Sequence, residues 1–274
     1  MKRALDLVVL SDVHLGTYGC HAVELLNYLK SIRPKVLVIN GDFIDMWQFR
    51  KSYFPIEHTR ILQYVLRMAS KGVIVYYITG NHDEALRKYA DFSSGNLHLR
   101  DKLSLQIGGK SYLIFHGDIF DVAIQFSPWL AKLGGVSYDY LIVLNRWINN
   151  VRQRFGLERV SMAHQVKHQF KNAIKYIRDF EEIAIEYAHK QHYDGVICGH
   201  IHRPQLRGTV CDGEEIQYLN SGDWVENLTA LEFQLGSWSL YTYNPADFAV
   251  NQPALNSLDE DLSDPQPLRE MLHL

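Results

Sequence analysis

The chain has 274 residues, of which 47% are hydrophobic and 22% charged, with a formal net charge of −3. This profile excludes a disordered or a membrane-spanning chain, and no apolar run approaches the roughly 18–20 residues that a transmembrane helix needs. Net acidity gives no reason to expect nucleic acid as a partner, and the apolar content suffices for one large core with room for an insertion.

At the N-terminus, Met1-Lys2-Arg3 precedes an apolar stretch that Asp6 interrupts, and no small-residue cleavage site follows. A first β-strand is therefore expected over 5–10 rather than an export signal. Further short runs rich in β-branched residues lie at 36–39, 73–79, 111–115 and 195–198. Helical patterns fall between them, near 22–30 (stopped by Pro34) and over 57–70 (ended at Gly72), so the expected class is α/β. From about 121 to 190 the strand signal gives way to Pro-free stretches at 139–155 and 160–189, which are expected to form a helical insertion. Strands return at 215–219, 228–233 and 238–243, with Gly236 in a hairpin turn. One domain is expected over 1–243, followed by an acidic tail over 244–274. Cys20, Cys198 and Cys211 form no Cys-x-x-Cys pair and are too sparse for a disulfide framework, which suggests a reducing, cytoplasmic compartment.

Five polar clusters each follow a predicted strand: Asp12-Val13-His14, Gly41-Asp42 with Asp45, Gly80-Asn81-His82-Asp83, His116-Gly117-Asp118, and Gly199-His200-Ile201-His202. Carboxyl ends of strands in an open α/β sheet face one crevice, so clusters far apart in sequence are expected to meet. Imidazole and carboxylate without thiolate suit Mn, Fe or Zn rather than a structural zinc. A second ion needs a shared carboxylate, for which Asp42 is the natural candidate. Asn81 would add a neutral oxygen and limit the negative charge. Two such ions orient and deprotonate a water and neutralise a phosphoryl group. Any one Asp-x-His or His-x-His is more often an ordinary polar pair, and Gly-Asn-His-Asp alone suits a turn. The argument rests on their order and placement together.

These motifs in this order resemble the calcineurin-like metallophosphoesterases over roughly residues 5–235. The resemblance implies a metallophosphoesterase β-sandwich core flanked by helices, with Asp12, His14, Asp42 and His202 on one divalent ion. It puts Asp42, Asn81, His116 and His200 on the other. His82 would then act as acid or charge stabiliser, oriented by Asp83. Gly-Asp-Phe-Ile-Asp-Met-Trp at 41–47, Gly-His-Ile-His-Arg-Pro at 199–204 and Asn-Ser-Gly-Asp-Trp at 220–224 are similar to the UDP-2,3-diacylglucosamine diphosphatases of lipid A synthesis. That similarity implies release of UMP and an acylated sugar 1-phosphate from a nucleotide-sugar lipid, with Arg203 as a substrate contact. The chain departs from that group at His82, where an arginine is usual, and at Ile119-Phe120, where polar residues are usual. Another phosphodiester substrate (a cyclic nucleotide, a nucleic-acid end or another lipid-linked molecule) therefore stands as the alternative. A scaffold of the same fold without catalysis is the rival from a different class, but such scaffolds usually lose ligands, and here the set is complete.

The insertion adds charge of its own. Between Leu141 and Arg178 the chain carries Arg146, Arg152, Arg154, Arg159, Lys167, Lys171, Lys175 and Arg178 against one acid, Glu158. His164, Lys167 and Lys171 share a helical face and are expected to meet a ligand together. The patch suits a diphosphate, or peripheral contact with the anionic inner membrane. The plainer reading for any single lysine there is a solvated helix face. His21, His58, His98, His189, His192 and His273 lie outside these contexts and are expected to be solvated or structural.

Overall fold

A computed structural model describes residues 2–47, 53–121 and 162–248, with the backbone alone for 162–174. The strand β1 (Arg3–Leu10) runs parallel to β2 (Ile32–Asn40), which runs parallel to β3 (Ile74–Ile78). With β4 (Ser93–Ser94), β5 (Leu97–Arg100), β11 (Thr229–Gln234) and β12 (Ser237–Thr242) they form a seven-stranded sheet of order β12-β11-β1-β2-β3-β5-β4. A second sheet has the order β6-β7-β8-β10-β9, from β6 (Lys102–Ile107), β7 (Lys110–Phe115), β8 (Gly195–Cys198), β9 (Gln205–Cys211) and β10 (Glu214–Asn220).

The period of two along each strand sorts its side chains between two cores. Leu7, Val9, Val38 and Ile78 of the first sheet pack with Ile114, Ile197 and Leu219 of the second. On the first sheet's other face, Val8, Leu10, Leu37 and Ile39 meet α1 (Ala22–Ser31) and α2 (Ile56–Ser70) through Leu25, Leu29, Ile61 and Val65. Strands covered on both faces read as unbroken apolar runs, which is why β1, β2 and β8 were legible. The sheet sandwich with flanking helices is the architecture expected from the sequence.

Some local expectations need correction. Helix α1 stops short of Pro34, as expected, but the strand expected at 36–39 begins earlier and contains that proline. The helix ends at Ser31, and Pro34 lies within β2 opposite Leu5 of β1. Pairing with β3 begins only at Val36, so no ladder bond on that side needs the amide that proline lacks. Strands β4, β5, β6 and β9 were not anticipated. Their side chains are polar, alternate with polar residues or stay half-exposed along the strand, so they lack an apolar run.

The chain divides into two compact units, 1–118 with 184–274, and 119–183. In the second, Tyr176 donates to Asp121 (2.6 Å) and Phe120 meets Phe180 edge-on. Helix α3 (Met162–Lys190) matches the expectation for 160–189, while the stretch expected at 139–155 lies outside the described residues. Of the tail, only 244–248 are described, with Tyr243 stacked on Phe248. No helix among the described residues is long and apolar enough to cross a membrane.

Candidate metal centre

The cluster residues sit just past the ends of five strands, β1, β2 and β3 in one sheet and β7 and β8 in the other. Strand ends of one open sheet were expected to bring the clusters together, and in the sandwich the strand ends of two packed sheets converge instead. Asn40, closing β2, spans the gap by donating to the Phe115 carbonyl (3.1 Å). The backbone then turns sharply. Asp12, His14, Asp42, His200 and His202 all have left-handed φ values, between +51° and +67°. Such geometry costs an L-residue about 1–2 kcal/mol, and Asp and His are among the residues that tolerate it best. Cross-loop bonds hold it: Asp12 N–H donates to the Gly41 carbonyl (3.1 Å), and His14 N–H to that of Asp42 (2.9 Å). Gly80 must lack a side chain because a Cβ there would collide with the Asp42 carboxylate.

Two groups of donor atoms result, Asp12 with His14 and His202, and Asp42 with His116 and His200; a third, His14 with Asp45 and His82, shares His14 with the first. Within each, the atoms lie within 4.8 Å of one another. In the first, His202 Nε2 is 3.2 Å from Asp12 Oδ1. His14 presents Nδ1 to Asp45 (3.2 Å), while its Nε2 is buried without a hydrogen-bond partner. In the second, His116 Nδ1 donates to the Asn40 carbonyl (2.9 Å). Its Nε2 lies 3.2 Å from both Asp42 Oδ2 and Asn81 Oδ1. Asp42 Oδ2 also stands 4.0 Å from His14 Nε2, while Oδ1 accepts the His82 amide (2.8 Å). A single oxygen of Asp42 thus faces both of these first two groups.

Electrostatics supports occupancy by a cation. Burial would raise the Asp12 carboxyl, but His202, His116 and His14 outweigh it and hold it well below the usual carboxylate range. Asp42 is lowered likewise, against its burial, by His116 first. Burial would lower His202, yet Asp12 raises it to about 9, and Asp42 and Asp12 raise His116 well above its ordinary value. Converging acceptor atoms in a buried pocket draw protons when nothing else neutralises them, so the donor set fits a divalent cation.

Outer partners were the part that sequence reasoning missed. Asp45 Oδ2 touches both His14 Nδ1 (3.2 Å) and His82 Nδ1 (2.9 Å). His82 is therefore oriented by Asp45 and not by Asp83, a correction. The Asp83 carboxylate instead accepts from Gly80 N–H (2.6 Å), Phe43 N–H (3.0 Å) and the Tyr77 hydroxyl (2.6 Å), tying the β2 and β3 loops together. Asp223 Oδ2 lies 3.6 Å from His202 Nδ1, which gives the 220–224 segment a structural tie to the site. The spacing Gly-Asp-x-x-Asp signalled Asp45, and the 220–224 motif contained Asp223 without indicating its role. Carboxylates behind ligand histidines set their tautomer and typically matter 10–100-fold. Asp45→Asn is expected to weaken metal retention by roughly that factor, read as metal content after dialysis against a weak chelator.

The other expected residues fall in different places. Trp47 is exposed, its ring 4.4 Å from that of His82. Arg203 is exposed beyond His202. The side chains of His164, Lys167 and Lys171 lie outside the described residues, and Arg178 faces Glu182 (3.9 Å), which offsets part of the basic patch. His58 is buried and accepts the Gly16 amide (2.9 Å), so it is structural.

The imidazoles and carboxylates gathered where strands of two packed sheets end, together with a family match and hydrolase relatives, make this chain a metal-dependent phosphoester hydrolase. Residues 5–204 match the family model of the calcineurin-like phosphoesterases, and the chain belongs to that family. It is similar to the UDP-2,3-diacylglucosamine hydrolase of Nitrosococcus oceani, at 31% identity over 81% of this chain and 88% of the relative. It is also similar to the enzymes of that name from Aeromonas salmonicida (25%; 88% and 97% covered) and Aliivibrio fischeri (24%; 86% and 98% covered).

Proposed function

We propose that the chain hydrolyses UDP-2,3-diacylglucosamine to UMP and 2,3-diacylglucosamine 1-phosphate. The observation that carries this reading is the match to the Nitrosococcus oceani hydrolase along 88% of that protein's length. Asp12, His14, Asp42 and His202 would hold one divalent ion, and Asp42, Asn81, His116 and His200 the other. Manganese is the proposed metal, and iron and zinc suit the same donors. Bound there, such ions lower the pKa of a water and neutralise phosphoryl charge. Asp42 offers Oδ2 to both groups, and Asp45 aligns His14. His82, held at Nδ1, has Nε2 left to protonate the departing phosphate oxygen. Arg203 and the cationic face of His164, Lys167 and Lys171 would bind the diphosphate. We further propose a cytoplasmic protein in peripheral contact with the anionic inner membrane, where its substrate resides.

The test is a panel of phosphomonoester, phosphodiester and UDP-diacylglucosamine substrates, each assayed with Mn, Zn and Mg. UDP-diacylglucosamine with Mn is expected to give the highest kcat/KM. Preference for a cyclic nucleotide or simple phosphodiester would sink the substrate assignment. His82, standing where that group usually has arginine, favours this second reading and makes the panel informative.

Acyl chains are expected to dominate affinity, since each buried methylene contributes about 0.8 kcal/mol. The aromatic run of Phe126, Trp129, Leu130, Leu133, Tyr138, Tyr140, Leu141, Leu144 and Trp147 motivates this by composition, and it lies outside the described residues. A deacylated UDP-glucosamine is expected to lose at least two orders of magnitude in kcat/KM, the equivalent of roughly three to four methylenes. Equal values for the two substrates would show that the chains are not bound.

A further inference from the structure

A second group of metal-ligating side chains lies apart from the phosphoesterase site. His189 stands in the last turn of α3, Cys211 ends β9, and Asp212 occupies the turn into β10. We propose that His189, Cys211 and Asp212 form a site for one soft divalent cation of the zinc type, with Glu214 as the outer carboxylate behind His189.

Geometry carries this assignment. One ligand atom from each of the three residues lies within 4.8 Å of the others. His189 Nε2 is 3.6 Å from Asp212 Oδ2. That separation is too long for a direct hydrogen bond. Zinc–nitrogen and zinc–oxygen bonds of about 2.0–2.2 Å set tetrahedral edges of roughly 3.3–3.6 Å, so a shared cation fits where a shared proton does not.

The other ring nitrogen, Nδ1, lies 3.7 Å from Glu214 Oε2. At that distance Glu214 favours a proton on Nδ1 by its charge and not by a direct hydrogen bond, which leaves Nε2 to face a cation. The local fold presents these groups together. Cys211 pairs directly with Glu214 across the hairpin. Asp212 (φ +49°) and Gly213 (φ +88°) are both left-handed, as a two-residue hairpin turn requires. Directly opposed residues share a face of the sheet, so the thiol and Glu214 lie on one side.

The donor set also distinguishes this site from the phosphoesterase centre. Nitrogen, sulfur and oxygen together select zinc-like ions, whereas the centre around Asp42 contains no sulfur. A cation here would tie the end of α3 to the β9–β10 hairpin, with water as fourth ligand. It would serve as a staple away from the chemistry.

Cobalt(II) titration of the full-length chain tests this, because only a cysteine-containing site gives thiolate-to-cobalt charge-transfer absorption in the near ultraviolet. The band is expected to saturate at about one equivalent per chain and to fall when zinc is added. It should vanish in Cys211→Ser and persist in Cys20→Ser, with phosphoesterase activity unchanged in Cys211→Ser. Glu214→Gln should weaken cobalt binding by less than the roughly 10-fold that loss of a hydrogen-bonded outer partner costs. Absence of the band from the parent chain at saturating cobalt, or its survival in Cys211→Ser, would overturn the proposal. Circular dichroism of each variant separates loss of the site from loss of the fold.

Discussion

Asp42→Ala is expected to abolish hydrolysis and to leave the purified protein with little bound metal. The carboxylate is buried, and its Oδ2 stands 3.2 Å from His116 Nε2 and 4.0 Å from His14 Nε2, so its removal takes a donor from both groups at once. Stabilisation of phosphoryl charge by bound ions is worth several kcal/mol, and each ~1.4 kcal/mol is tenfold in rate, so a fall of about three orders of magnitude or more in kcat follows. Changes that reach only one group, such as His14→Ala or Asn81→Ala, are expected to cost less. Asp42→Asn separates ligation from backbone effects. Asn tolerates the left-handed φ of +52° at this position and its oxygen can still accept the His82 amide, but it is a poorer ligand. Metal content by elemental analysis and rate under saturating substrate are the measurements. A metal-loaded, fully active Asp42→Ala protein would remove the basis of the proposed site.

The second large effect is expected at His82. If this imidazole supplies a proton without ligating metal, His82→Ala should lose 10²–10⁴-fold in kcat, the typical range for general acid catalysis, and keep its metal. In the metal-free site burial would lower the His82 pKa, but the contact with Asp45 and the charge of Asp42 outweigh it. Bound ions would cancel the part from Asp42 and leave Asp45 as the group that favours the proton. A general acid works in its protonated form, so activity should fall as pH rises through the His82 pKa. Asp45→Asn removes the largest favourable contribution, so that limb of the profile should move to lower pH. Metal loss in His82→Ala, or a basic limb unmoved in Asp45→Asn, would contradict the role.

How much of this was legible depended on whether each determinant was local in the chain. The donor residues announced themselves because each sits beside its strand in a short motif, and a motif's chemistry can be read without knowing its neighbours. Likewise, β1, β2 and β8 are buried on both faces and so appear as apolar runs. The half-exposed β9 and the alternating β6 had no such signature. Pro34 hid the start of β2 because its effect depends on which strand lies alongside. A proline stops a helix in isolation, yet β2 accepts it where the β3 ladder has not yet begun.

The residues behind the ligands belonged to the tertiary structure alone. Asp83 follows His82 directly, and sequence adjacency made it the natural orienting group. However, the 3₁₀ turn that begins at Glu84 leaves the Asp83 carboxylate facing the Gly80 and Phe43 amides, while Asp45 arrives from the β2 loop to meet the imidazole. Asp223 reaches His202 only because β10 lies beside β8. The sequence by itself determined which side chains can bind metal and at which strand ends they stand, since these follow from residue type and local pattern. Only the tertiary structure decided how they group, which carboxylate supports which imidazole, and that one oxygen of Asp42 faces both sets. Those are distances between loops far apart in the chain, set by how two sheets pack.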